Sequence, residues 1–105
     1  MTIQFNTNTN TNGSYKLKTY FSDLITEELS RFSEHVTRIE VHLSDVNGDK
    51  DNPNYKRCLL EARIEGRKPI AVTKQADTYE KAVSGAIEKI TASIDKIFGR
   101  LKNRS

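Results

Sequence analysis

The chain has 105 residues, enough for one compact domain and too few for two. Its net charge of +3 is only mildly basic, so the distribution of charge, and not the total, has to decide whether nucleic acid is a partner. The single cysteine, Cys58, cannot form an internal disulfide, and no apolar run approaches the roughly 20 residues that span a bilayer. We therefore expect a cytoplasmic protein with no signal peptide and no membrane partner.

The first half of the chain predicts a strand, a helix and a second strand. Apolar residues alternate over Thr2–Asn6, which indicates a short strand, and the polar stretch Thr7–Asn12 predicts a loop. Helical spacing of apolar residues follows Ser14, a possible N-cap, and continues to about Phe32. The period then changes to two over Arg38–Ser44, which predicts the second strand.

The second half predicts two more strands and a long helix. The Asp, Asn, Gly and Pro residues of Asp45–Asn54 indicate a loop. Tyr55–Glu65 and Ile70–Thr73 alternate apolar and polar residues, as strands with one buried face do. The helix predicted over Asp77–Arg104 has a plausible capping box in Asp77 and Glu80.

The predicted element order is β-α-β-β-β-α, an α+β fold. Each strand has one apolar and one charged face, and each helix has an apolar stripe, so we expect a four-stranded sheet with two helices on one face. The first helix is long enough for a right-handed crossover, which makes the first two strands parallel neighbours. The remaining strands would form an antiparallel meander, and residues 1–105 would be a single domain.

The final helix separates its charges around its apolar stripe. At about 100° per residue, Lys89, Lys96 and Arg100 lie roughly 90–130° to one side of the stripe, with Lys81 further round. The acidic residues lie on the other side: Glu80, Glu88 and Asp95. A track of cations beside the core favours a polyanion such as RNA. The alternative is that cations near the helix C-terminus only complement the helix dipole.

Two further patterns bear on RNA as the partner. Ser84, Gly85 and Ser93 are small residues near the cationic side, where a phosphate backbone could approach closely. Glycine inside a helix costs on the order of 1 kcal/mol relative to alanine, so Gly85 predicts a packing or contact requirement. No strand interleaves aromatic and basic residues, so we expect contacts to the backbone of RNA and not to its bases.

The chain offers little for catalysis or metal binding. Asp45, Asn47, Asp49 and Asp51 alternate as in a calcium loop, but the glycine and glutamate that an EF-hand requires are missing. Strand parity places Cys58 and His42 on opposite faces of the sheet, which separates the one possible thiol–imidazole pair. We expect no catalytic residues, no metal, no cofactor and no small-molecule substrate. The charges on the outer sheet face alternate in sign and predict a solvated surface with cross-strand pairs.

The element order and three segments resemble the bacterial ribosome hibernation-promoting factor / ribosome-associated inhibitor family, in its short form. The segments are Arg38-Ile-Glu-Val-His-Leu-Ser44, Lys56-Arg57-Cys58 and Ala82-Val-Ser-Gly-Ala-Ile-Glu-Lys-Ile90. The resemblance implies a double-stranded-RNA-binding-like fold that lodges on the small ribosomal subunit, in the channel for mRNA and tRNA. Occupancy there blocks translation and protects idle ribosomes in stress or stationary phase.

The resemblance also implies which residues contact ribosomal RNA. The basic positions that fit that role are Lys74, Lys81, Lys89, Lys96 and Arg100. Long members of the family have a C-terminal dimerisation domain, which we do not expect here. The first helix departs from the family pattern because its exposed side has Asp23, Glu27 and Glu28. Two alternatives remain: a protein-interaction module that does not bind RNA, and a small α+β enzyme.

Overall fold

A computed structural model describes the backbone of residues 1–6, 14–46 and 55–103, and the side chains of residues 1–6, 16–46 and 55–98. The predicted loop Thr7–Asn12 and most of the predicted loop Asp45–Asn54 lie outside these residues. The elements follow the predicted order: β1 (Thr2–Phe5), α1 (Ser14–Glu28), a 3-10 turn (Ser30–Phe32), β2 (Val36–Val46), β3 (Tyr55–Ile64), β4 (Ile70–Ala76) and α2 (Tyr79–Asn103).

The four strands form one sheet in the order β1-β2-β3-β4. β1 lies parallel to β2, with Ile3 opposite Ile39, and the other two pairs are antiparallel. Both features are as predicted: α1 is the crossover between the parallel strands, and β2 to β4 form the meander. β1 and β4 are therefore the two edges of the sheet.

The core fills the space between the sheet and the two helices, which lie on the same face. Apolar residues that alternate along the strands meet the apolar stripes of α1 and α2 in one cluster. Its fully buried large side chains include Phe21, Ile25 and Leu29 from the α1 end, Ile39 and Leu60 from the sheet, and Ile90 and Ile94 from α2. Among the described residues, no polar or charged residue is buried, so the packing is essentially hydrophobic. None of the helices in the described part of the chain has the length and apolarity needed to cross a membrane.

Several predicted boundaries were wrong, and each error has a physical reason. α1 ends at Glu28 and not near Phe32, because the chain tightens there into the 3-10 turn Ser30–Phe32. β2 and β4 run longer than predicted, to Val46 and Ala76. The last residues of β2 and β4 are mostly polar and show no alternation of apolar residues. They are nevertheless in strands because they pair with the first residues of β3.

The N-terminus of α2 is capped by Thr78, not by the predicted box of Asp77 and Glu80. The backbone N–H of Lys81 donates to Thr78 Oγ1 at 3.2 Å, and the N–H of Ala82 donates to the Thr78 carbonyl oxygen at 3.1 Å. The Thr78 side chain thus satisfies the Lys81 amide, one of the first-turn groups that lack a partner within the helix, and its carbonyl oxygen accepts the first helical hydrogen bond. Asp77 instead forms an i,i+4 ion pair with Lys81.

Candidate nucleic-acid interface

The cationic side of α2 faces the edge strand β4. Lys89 Nζ donates a hydrogen bond to the backbone carbonyl oxygen of Thr73 at 2.8 Å, and the side chain of Lys74 passes beside Gly85. Residues 85 and 89 of α2 therefore lie beside residues 74 and 73 of β4, so the two elements run in opposite directions. This packing brings Lys74 and Lys89, which are distant in sequence, to the same boundary.

Lys74 reaches the surface by an unusual route. It shares strand parity with Ile70 and Val72, which pack against the core, and it pairs in register with the fully buried Cys58. Its methylene groups then cross the helix at Gly85, so the ammonium group, one bond beyond Cε, lies next to that glycine. Long cationic side chains commonly bury their stems in this way and keep the charge in water.

The other predicted cations lie along the same side of α2. Lys81 and Lys89 are four residues before and after Gly85, and Lys96 follows at helical spacing. Lys96 is exposed and has no ion pair with any described residue, whereas Lys81 pairs with Asp77 at 3.2 Å. We call Lys74, Lys81, Lys89 and Lys96 the basic flank. Arg100 belongs to α2, but its side chain is outside the described residues.

The opposite side of α2 is acidic. Asp95 forms an ion pair with Arg31 at 2.7 Å. Glu88 and Glu28 line a groove between the helices, with a volume of about 220 Å³, together with Leu24, Ser84 and Ile87. The helix therefore separates its charges in space as it does in sequence, because the core and β4 fix its orientation. Of the exposed acidic residues of α1, Glu28 lies on this acidic side, in the groove with Glu88.

The sequence pattern that defines one protein family, described as sigma 54 modulation protein / S30EA ribosomal protein, matches residues 6–102. The chain belongs to this family. The match begins directly after β1 and reaches the last turn of α2, so family membership rests on nearly the whole fold and not on one motif. A comparison with curated protein sequences gave no significant match.

Two solved structures share the fold of this family member. A ribosomal subunit interface protein from Coxiella burnetii is 19% identical, with a TM-score of 0.67, and the match covers 94% of this chain and 99% of that one. The N-terminal domain of Protein Y from Thermus thermophilus is 12% identical, with a TM-score of 0.62, and the match covers 91% and 94%. These structures confirm the predicted α+β architecture. At such identities they establish the fold alone.

In this family member the outer sheet face is a network of paired charges. Glu40 is contacted by Arg38 at 3.2 Å, by Arg63 at 3.4 Å and by the Asn6 amide at 2.8 Å, and Arg63 also pairs with Glu61. Burial by itself would raise the pKa of Glu40, but the Asn6 hydrogen bond and the two guanidinium groups together lower that pKa below its ordinary value. The predicted pairing on this face is confirmed. Arg38 and Arg63 of this face are matched by carboxylates, unlike Lys74, Lys89 and Lys96 of the basic flank.

The structure does not bring together the residues that the sequence suggested for catalysis or metal binding. Cys58 is fully buried, which raises the pKa of its thiol to about 12, and His42 lies on the outer face opposite Leu59. Asp45 is in β2, and its carboxylate accepts from Lys56 Nζ at 2.6 Å. The rest of the weighed calcium pattern lies outside the described residues. Within the described ranges, no group of His, Cys, Asp and Glu side chains has a metal-binding arrangement.

Two parts of the interface were not predictable from the spacing of the cations. One is the Thr73 carbonyl, a backbone group that holds the Lys89 ammonium. The other is the contact between Lys74 and Gly85. A signal for the second did exist, because Lys74 lies at an inward-facing strand position and Gly85 at a costly position inside a helix.

Proposed function

We propose that this chain binds the ribosomal RNA of the small ribosomal subunit through the basic flank, and so blocks translation during stress or stationary phase. Residues 1–105 would act as a single, non-enzymatic ribosome-binding domain in the cytoplasm. Family membership supports ribosome binding as the coarse function. The observation that supports the RNA contact is that Lys74, Lys89 and Lys96 make no ion pair with any carboxylate among the described residues.

The basic flank has the physical properties of a surface that binds phosphates. Its cations project from a rigid helix and the adjacent strand, so they form a fixed row and not a flexible tail. Each contact to a phosphate releases condensed counterions, which supplies affinity without reading sequence. Exposed Tyr20 lies on α1, away from the row, so the flank has no aromatic platform for stacking bases among the described residues. Backbone and shape recognition is the mode that this surface supports.

The affinity for small subunits is expected to fall steeply with salt. If four or five cations contact phosphates, log affinity should decrease with log salt with a slope of about −3 to −4.5. Between 50 and 200 mM salt the affinity would then fall by roughly 10²-fold or more. Co-sedimentation of the purified chain with purified small subunits, at four salt concentrations, measures the slope. A slope near zero would overturn RNA contact as the source of affinity.

Steric occlusion predicts a dependence on the order of addition. We expect the chain to inhibit a reconstituted translation reaction when it meets vacant ribosomes first. Prior loading of the ribosomes with mRNA and initiator tRNA should reduce the inhibition, because the proposed site is the channel that those ligands occupy. The yield of a reporter protein measures both reactions. Equal inhibition in either order would argue against competition for that channel, even if the chain binds the ribosome.

A protein-interaction module is the second candidate, and one observation favours it. The groove between α1 and α2 combines partly buried Leu24 with the carboxylates Glu28 and Glu88, a surface that suits a basic protein segment. Binding to small subunits stripped of ribosomal proteins separates the two candidates. Retention on the stripped RNA supports the basic flank. Loss on stripped RNA, together with binding to the extracted proteins, supports the groove.

A further inference from the structure

We infer that Gly85 is a positioning residue that opens a phosphate-binding site formed by Lys74, Lys81 and Lys89. The inference rests on the proposed RNA function and identifies the chemical group that this part of the basic flank takes, a phosphodiester of the RNA backbone. Lys74 supplies the central charge of the site. Gly85 has no side chain with which to contact the ligand. It acts by leaving room for the stem of Lys74.

The contact between Gly85 and Lys74 is the first argument. A methyl group placed on Gly85 would lie 2.7 Å from Cγ of Lys74, 2.9 Å from Cδ and 2.9 Å from Cε. These distances are well inside van der Waals contact, so any side chain at position 85 has to displace the stem of Lys74. The stem is flexible and ends in solvent, whereas α2 is held by the core. Lys74 is therefore the group that would move.

The backbone of Gly85 gives no other reason for glycine. Among the described glycines, a positive φ occurs at Gly66, in the turn between β3 and β4, and not at Gly85. Gly85 is in regular α-helix, where alanine is intrinsically more favourable. The space that Lys74 occupies accounts for the residue at this position.

The neighbours of Gly85 define the ligand. Lys81 and Lys89 are one helical turn before and after it, and the Lys74 stem crosses the helix at it, so three lysines lie close to Gly85. Lys81 also forms an ion pair with the exposed Asp77 at 3.2 Å, which a phosphate would replace. The side chain of Lys74 makes no hydrogen bond or ion pair with any described residue, and the Lys89 ammonium is held by a carbonyl oxygen and not by a carboxylate. A phosphodiester is small, anionic and rich in acceptors, so it suits the ammonium groups that these lysines present near Gly85.

A double-mutant cycle tests the site. The variants are Gly85→Ala, Lys74→Ala and the double variant, and the measurement is the dissociation constant for purified small subunits at 0.1 M salt. Each single variant should weaken binding roughly three- to tenfold, the effect of about one counterion fewer released. The double variant should be no weaker than Lys74→Ala alone, because the methyl group acts only through Lys74. Thr26→Ala, at an exposed position of α1 outside the basic flank and the groove, is the control and should bind as the wild type does.

A second readout does not depend on RNA. Reductive methylation with ¹³C-formaldehyde labels the lysine amines, and the Lys74→Ala spectrum assigns the Lys74 signal. In the free protein that signal should shift in Gly85→Ala and not in the control Thr26→Ala. The inference is overturned if the Lys74 signal does not shift in Gly85→Ala. It is also overturned if the double variant raises the dissociation constant by the product of the two single effects. If the signal shifts but the wild type itself fails to bind small subunits, the proposed function fails and the geometry of Lys74 stands.

Discussion

Reversing three cations of α2, in the variant Lys89→Glu/Lys96→Glu/Arg100→Glu, should reduce affinity for small ribosomal subunits by at least about 10²-fold. The three substitutions remove three proposed phosphate contacts and add repulsion at the same points, and the salt slope of the remaining binding should flatten by about three. Co-sedimentation with small subunits over a range of salt measures both quantities. Circular dichroism shows whether the helices are retained, as expected from the exposure of Lys89 and Lys96 outside the core.

A charge-matched control separates the basic flank from total charge. Lys16→Glu/Arg57→Glu/Lys68→Glu changes three exposed cations on α1, the outer sheet face and the β3–β4 turn. Each reversal changes the charge by −2, so both triple variants go from +3 to −3. The control should keep most of the affinity, because its cations lie off the flank. Equal losses in the two variants would mean that binding depends on net charge and not on this surface.

Replacing Phe21 by alanine should destabilise the fold by about 3–5 kcal/mol. Phe21 is fully buried in α1, and its ring fills the space between that helix and the sheet. Truncation loses the transfer free energy of the ring and leaves a cavity that the surrounding strands cannot close. Domains of this kind are stable by roughly 5–15 kcal/mol, so the loss is a large fraction of the total. Urea denaturation followed by circular dichroism measures the difference in unfolding free energy.

The neighbouring residue provides the control for that experiment. Tyr20 is 52% exposed and touches Phe21 edge to face, with ring centroids 5.3 Å apart. Tyr20→Ala should cost only about 0.5–1.5 kcal/mol, the value of the aromatic contact. Comparable losses at the two positions would show that α1 is not held to the sheet by the burial of Phe21.

The fold was predictable because its two periodicities are clean. Ile39, Val41 and Leu43 alternate with polar residues in β2, and all three are buried on the helix-facing side. The predicted boundaries were wrong where the local sequence pattern and the pairing between strands give different answers. Residues 74–76 do not alternate as a half-buried strand should, yet they pair with β3 because the edge of an existing sheet offers hydrogen-bond partners. At the start of α2, Asp77 and Thr78 can each cap a helix, and sequence spacing does not choose between them.

The candidate site was predictable only in part. Helical geometry alone places Lys81, Lys89 and Lys96 on one side of α2, and the structure agrees. That this side faces β4, and that Lys74 joins it, depends on the order of the strands and on the direction in which α2 returns across the sheet. Such contacts join residues distant in sequence and leave no periodic signal. The assignment of these residues to RNA stays a prediction.

The Lys89 ammonium group has two competing partners. One is the Thr73 carbonyl oxygen, to which it donates in the structure, and the other is the phosphate of the proposed RNA contact. β4 is an edge strand, and unpaired backbone groups at an edge invite a strand from another molecule to add to the sheet. In the free protein Lys89 donates to one of these groups, the Thr73 carbonyl oxygen, which is then not available to an added strand. Under the proposed function, a phosphate that draws Lys89 away would expose the Thr73 carbonyl oxygen on the side that the RNA would cover. The bound RNA would then shield this part of the sheet edge in place of Lys89.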